Sequence, residues 1–253
     1  FLAAYREHAD DTWPASLAHH HIAYRAQVRA KVGTIRAGQG DATAVPETRA
    51  LLGLARGHLE AGAVRLVLIG GLPGTGKSTL AAGLADALGA TVLRSDEVRK
   101  ELAGLRPDQP APAEFGEGLY HPAATAATYG EMLRRAEVAL GLGEVVVLDA
   151  SWTGERWRAE ARDVATRTHA DIVELRCSAP PDLAARRIRR RVGAGGDPSD
   201  ATPEIAAKLA GAEDPWPTAA IVDTSSGPAE ALVKALALVG GPGSRATPPR
   251  WLG

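Results

Sequence analysis

The sequence predicts an α/β fold: a parallel sheet with helices on both faces. Short apolar runs at 64–69, 144–148, 171–176 and 219–222 alternate with stretches of helical length. These runs lack the strict in–out alternation of a sheet with one wet face, so both faces are covered. The first run also passes through a glycine-rich loop directly into a helical pattern.

Taken in order, residues 63–240 form this domain, with a further short strand at 91–93. Helices are predicted at 77–88, 98–102, 123–142, 154–168, 181–191, 203–210 and 228–238. Residues 104–122 are rich in Pro and Gly and form a loop too long to be a mere connector. Ahead of the sheet, residues 1–62 form a helical segment. Leu17, Tyr24, Val28, Val32 and Ile35 recur at helical spacing, and Pro14 suits a first helical position. A second helix is predicted over 46–59. Both helices have an apolar side that requires a partner surface. Residues 241–253 read as a flexible tail. The chain opens on Phe1 rather than Met, so it reads as a piece of something longer.

Composition excludes several classes. Hydrophobic residues make up 45% and charged residues 23%, as in ordinary globular proteins. A net charge of -1 gives no global field to attract nucleic acid or an anionic membrane. No apolar run is long enough to span a bilayer. The single cysteine, Cys177, excludes an internal disulfide and points to the reducing cytoplasm.

The clearest chemistry lies in Gly71-Leu72-Pro73-Gly74-Thr75-Gly76-Lys77-Ser78, which fits G-x-x-x-x-G-K-[ST]. Glycines let the main chain turn its N–H groups inward, and the following helix directs its positive end at the same point. With Thr79 behind it, this loop is the expected nucleotide site. Lys77 reaches the β- and γ-phosphates of ATP, and the Ser78 hydroxyl serves Mg²⁺. Lysine occurs only at 31, 77, 100, 208 and 234, so its place here is not a matter of composition.

Three further places bear on the reaction. Asp96 follows the second strand, whose carboxyl end opens on the same crevice. It can accept a proton from an acceptor hydroxyl or cap the next helix, and the two roles are compatible. Arg99, one turn on, can share that face and hold an anionic acceptor. Asp149 ends the strand at 144–148, where a carboxylate can stand by the metal. Ala150 follows it, whereas a hydrolytic motor needs a glutamate there, and this favours transfer over hydrolysis. Ser151 and Thr153 can cap the following helix. Arg186, Arg187, Arg189, Arg190 and Arg191 crowd into six residues before a flexible stretch at 193–199. That construction suits an arginine-rich lid, with a solvated basic face as the plain alternative. Asp223-Thr224-Ser225 can line a nucleoside pocket or simply turn the chain. His19, His20 and His21 point in different directions on a helix and cannot share a metal.

In combination, the phosphate loop, Ser95-Asp96-x-x-Arg99, Asp149-Ala150-Ser151 and the arginine run resemble the P-loop kinases grouped with gluconate kinase and polynucleotide 5′-kinase. The resemblance covers about residues 64–239 and implies a P-loop NTPase fold. It also implies Asp96 as general base, Arg99 on the acceptor side, and Arg187 and Arg191 as the lid arginines. The stretch Gly118-Leu119-Tyr120-His121-Pro122, with Thr125 and Tyr129, is similar to a feature of related kinases, which makes Tyr120 a candidate acceptor contact. Residues 1–40 resemble the closing helices of an aminoglycoside-phosphotransferase-type domain, which implies a fused or docked upstream partner. The expected activity is transfer of the γ-phosphoryl group of ATP·Mg²⁺ to a hydroxyl of a small-molecule acceptor. Two alternatives stay open: a regulatory module that binds ATP without transfer, and a nucleic-acid 5′-hydroxyl kinase. Near-neutral charge and scarce aromatics weigh against the second.

Overall fold

Five parallel strands, β1 (Arg65–Gly70), β2 (Thr91–Arg94), β3 (Val146–Asp149), β4 (Asp171–Ser178) and β5 (Ala220–Asp223), lie in the order β2-β3-β1-β4-β5. The computed structural model describes residues 8, 13–106, 109, 118, 121–194, 199 and 202–240. The chain divides into two units: a helical one holding 13–64 and the turn 142–144, and an α/β one of 65–141 and 145–240.

In the helical unit, α1 (Ala15–Gly38) and α2 (Ala44–Ala61) pack on each other through small residues. Ala23, Ala26 and Ala55 form the buried contact, with Leu51 against it. A β-carbon on Gly33 would stand 2.2 Å from Thr48 Oγ1, so only glycine allows this approach. Small side chains at the contact bring two helix axes close together. Here the structure departs from the periodicity. Leu17, Tyr24, Val28, Val32 and Ile35 do share helical spacing, yet they are 36–56% exposed. Pro14 is the N-cap in extended geometry rather than the first helical residue. His19 leaves the histidine run to meet His58, Nδ1 to Nδ1, at 2.8 Å. Burial and the nearby His58 lower the His19 pKa.

In the α/β unit, β1 is flanked by β3 and β4 and is buried along nearly its whole length. Val67, Ile69, Val147, Leu175 and Val222 form a core with Leu80 and Leu84 of α3 (Lys77–Leu88) and Ala231 and Ala235 of α9 (Pro228–Gly240). The α3 helix starts at Gly76 and stops at Gly89, both left-handed, with φ of 86° and 62°. Between strands come α4 (Ser95–Leu102), α5 (Pro122–Gly141), α6 (Glu155–Arg167), α7 (Pro181–Ala194) and α8 (Pro203–Gly211). This is the α/β sheet the sequence predicts, a P-loop NTPase fold. The helix after β2 begins at Ser95, earlier than the apolar pattern alone suggests. No described helix is long and apolar enough to cross a membrane.

Candidate functional site

The strand order places the site. Because β3 lies beside β1, Ile69 stands level with Asp149, and Asp149 is level with Arg94 of β2. The carboxyl ends of three strands therefore deliver the phosphate loop, Asp149 and the Ser95–Asp96 turn to one crevice. Gly71 N–H donates to Ser151 O at 3.2 Å, which joins the loop to the segment after β3.

Backbone geometry explains the loop's glycines. Gly71, Gly74 and Gly76 have φ of 124°, 79° and 86°, in the region that side chains avoid. A β-carbon on Gly74 would also approach Ala184 O to 2.4 Å, so the loop nests directly under α7. Thr75 Oγ1 donates to Leu72 O at 2.7 Å, and Lys77 Nζ donates to the same carbonyl at 3.1 Å. These bonds close the loop on itself with the ammonium at its mouth.

Around this loop lie two cavities. The smaller, about 290 Å³, is lined by Gly74, Gly76, Thr79, Arg187, Thr224 and Pro228, among others. The larger, about 500 Å³, takes in Pro73, Asp96, Arg99, Tyr129, Asp149 and Trp157. Lys77, Ser78 and Arg191 line both. Two of the five clustered arginines, Arg187 and Arg191, thus face cavity space, four residues apart on α7. Arg187 donates to Thr224 O at 2.7 Å and to Thr224 Oγ1 at 3.2 Å. Thr224 Oγ1 donates in turn to Thr75 O at 2.7 Å. One buried hydroxyl therefore ties α7, the phosphate loop and the turn after β5 together. Asp223 turns away and accepts from Ser225 N–H at 2.8 Å.

Asp149 is the buried carboxylate of the site. Desolvation raises its pKa, opposed by the charge of Lys77, the Ser78 hydroxyl and Arg94. Arg94 Nε lies 3.4 Å from it. Among the described residues, no cluster of three or more metal-ligating side chains exists. Ser78 and Asp149 instead offer a hydroxyl and one carboxylate, a sparse hard-oxygen set that suits Mg²⁺ shared with phosphates.

Asp96 is not the cap of α4. The N-cap is Arg94, without a side-chain capping bond, and the Asp96 carboxylate accepts from Arg99 Nη1 at 2.8 Å. Arg99 therefore spends part of its donor set on Asp96. Ser151 and Thr153 do not cap α6 either: Gly154 is its N-cap, and Asp214 accepts from Glu155 N–H at 2.8 Å. Pro122, Thr125 and Tyr129 line the larger cavity, whereas Tyr120 lies outside the described residues, as do most of 104–122, the stretch 195–198 and the tail 241–253.

Sequence reasoning missed an aromatic and guanidinium scaffold behind this cavity. Trp152 follows the β3 turn with φ of 53°, a conformation that bulky residues seldom accept. It is fully buried, and its N–H donates to Tyr129 Oη at 3.2 Å. Trp157 stacks on Tyr129 with centroids 5.0 Å apart and 12° between planes. Burial raises the Tyr129 pKa, which keeps its hydroxyl protonated. Arg158 is wholly buried and donates to Trp152 O at 2.9 Å and Pro215 O at 2.8 Å, with its guanidinium 5.0 Å from the Trp216 ring. Trp216 in turn fills the space beside Gly70, where a β-carbon would come within 2.2 Å of the indole. The available signal was the placement of two of five tryptophans, 152 and 157, directly after a strand that ends at the crevice.

Fold and phosphate loop together define a P-loop NTPase-type α/β protein. Residues 66–212, more than half of the chain, match the family model described as an AAA domain, and the chain belongs to that family. It is 47% identical over 230 residues to uncharacterized proteins of Mycobacterium tuberculosis and Mycobacterium bovis, a match covering 91% of this chain and 45% of each of theirs. The chain thus spans about half the length of the curated relatives it matches. Among solved structures it is similar to the Mycobacterium tuberculosis APS kinase CysC in complex with AMPPNP and APS, with 19% identity, a TM-score of 0.52, and coverage of 71% of this chain and 99% of that one. A sugar kinase from Janibacter sp. gives 17% identity and a TM-score of 0.51, covering 70% of this chain and 94% of the other. At these identities the likeness is one of fold.

Proposed function

We propose that the α/β unit binds ATP with Mg²⁺ and transfers the γ-phosphoryl group to a hydroxyl of a small-molecule acceptor. One observation carries this reading: two cavities meet at Lys77, Ser78 and Arg191, one beside the phosphate loop and one containing Asp96. A triphosphate laid along the loop then ends where the second cavity begins.

Main-chain N–H groups of the loop hold the phosphates, and the Lys77 ammonium swings from Leu72 O onto them. Arg187, fixed by Thr224, and Arg191 approach the transferring group from α7 and balance charge that spreads over its oxygens. Asp96 accepts the proton of the attacking hydroxyl, with Arg99 orienting its carboxylate. Ser78 and Asp149 would hold Mg²⁺, which when bound would neutralise phosphate charge. Little covalent work falls to the protein, and catalysis rests on positioning and charge.

The test is Asp96→Asn against wild type, with transfer from γ-labelled ATP and nucleotide binding measured in parallel. Transfer is expected to fall by about a hundredfold, the scale of a positioned base, with binding retained. Unchanged transfer would remove Asp96 from the reaction.

The helical unit supports a separate proposal. Its exposed apolar residues, with relatives twice as long, favour its packing against further chain, and the resemblance of residues 1–40 is what suggests a phosphotransferase-like domain there. The cytoplasm is the proposed compartment, consistent with the lone buried thiol of Cys177.

A further inference from the structure

The smaller cavity has two unlike ends. Lys77, Ser78 and Arg191 stand where it meets the larger one. On the phosphoryl-transfer reading above, the triphosphate ends there, and the nucleoside lies toward Thr79, Leu80, Arg187, Thr224, Pro228 and Ala231. A protein tells one nucleobase from another by hydrogen bonds to the base edge, whereas every base has a π-face. Partners for an edge are missing at this end. Among the described lining residues there is no carboxylate, amide or imidazole side chain.

The polar groups that do line it are bonded within the protein. Thr224 N–H donates to Ser178 O at 2.9 Å, and Thr224 O accepts from Arg187 at 2.7 Å. The Thr224 hydroxyl donates to Thr75 O at 2.7 Å and accepts from Arg187 Nη1 at 3.2 Å. Ala231 N–H donates to Gly227 O at 3.2 Å, Leu80 N–H donates to Gly76 O at 3.0 Å, and Pro228 has no N–H. The carbonyls of Thr79, Leu80, Pro228 and Ala231 serve the first turns of α3 and α9. The Thr79 hydroxyl remains, and a hydroxyl both donates and accepts, so it favours no base. Arg187, with both terminal nitrogens engaged by Thr224, presents charge and a flat face, which any base can meet. Pro228 and Ala231 add apolar surface. We infer that this site fixes the triphosphate and takes the base by its faces, without selecting it. Purine and pyrimidine triphosphates then serve alike, and ATP is one donor among several.

The experiment displaces a fluorescent, ribose-labelled ATP analogue from the whole chain in Mg²⁺ with ATP, GTP, CTP and UTP in turn. The four are expected to bind within about tenfold of one another. A larger preference for any one base would overturn the inference while leaving the phosphate loop as a nucleotide site. Pro228 is exposed at the start of α9, where alanine keeps the helix. Pro228→Ala should weaken all four by a similar factor, about fourfold, the scale of one buried methylene. A loss confined to one base, or no loss for any, would also overturn it. If neither the analogue nor any of the four binds, the phosphoryl-transfer reading falls as well. Transfer from γ-labelled ATP is scored separately. Binding of all four without transfer would uphold the unselective site and contradict the phosphoryl-transfer reading.

Discussion

The two sides of the crevice are made from different material. On the phosphate side, one contiguous loop supplies much of the wall, largely through its main chain, with left-handed glycines at 71, 74 and 76, and Arg187, Arg191 and Thr224 complete it. On the Asp96 side the wall is made of side chains from separate stretches near residues 96, 125, 151, 157 and 209. A main-chain wall tolerates side-chain variation but not a β-carbon. A side-chain wall can be rebuilt one residue at a time while the sheet stays the same. The first suits an invariant ligand such as a triphosphate tail, and the second suits a specificity that differs between relatives of one fold.

Substitutions on each side separate these two kinds of wall. The largest effect is expected at Lys77. Lys77→Ala should lower ATP-dependent transfer at least about a hundredfold, the scale of losing one preorganised donor, as read by label transfer. Next comes Arg158, which holds the Asp96 side together from behind. Arg158→Met strands the carbonyls of Trp152 and Pro215 and should destabilise the fold by about 2 kcal/mol in urea unfolding. Acceptor affinity should suffer with it, and nucleotide affinity much less.

Thr224→Val removes the hydroxyl shared by Arg187 and Thr75 O while keeping the shape of the side chain. Nucleotide affinity should fall about fivefold, the worth of one buried hydrogen bond, and Thr224→Ser should restore it. The smallest effect concerns Asp149. Burial raises its pKa in the fold, so its ionised form opposes folding. That cost is absent well below its unfolded pKa, grows as pH rises, and is complete above the folded pKa. Asp149→Asn should therefore raise the Tm of the nucleotide-free protein slightly at neutral pH while weakening the Mg²⁺-dependent part of binding. A lowered Tm would show that its neighbours more than offset the desolvation.

The same contrast explains what could be read from the chain. The phosphate loop is legible because all its determinants are consecutive: a strand, three glycines, Lys77 and a helix. The sheet is legible because a parallel strand covered on both faces shows as an unbroken apolar run, as at 66–69 and 146–148. Trp157 against Tyr129, or Arg158 against the carbonyls near 215, depends on how α5, α6 and the segment before β5 converge. No local pattern encodes that meeting. The helical pair fails for another reason. Periodicity in α1 correctly marks a stripe of large apolar residues, but the face α1 buries against α2 is the alanine one, because small residues permit the closer approach. Periodicity locates a stripe without saying what covers it.

Nucleotide held at the glycine loop underlies every assignment, and titration calorimetry of the whole chain with a non-hydrolysable ATP analogue, with and without Mg²⁺, addresses it directly. Saturable association that strengthens with Mg²⁺ and is lost in Lys77→Ala is the expected result. A folded protein that takes up no nucleotide under either condition would contradict it.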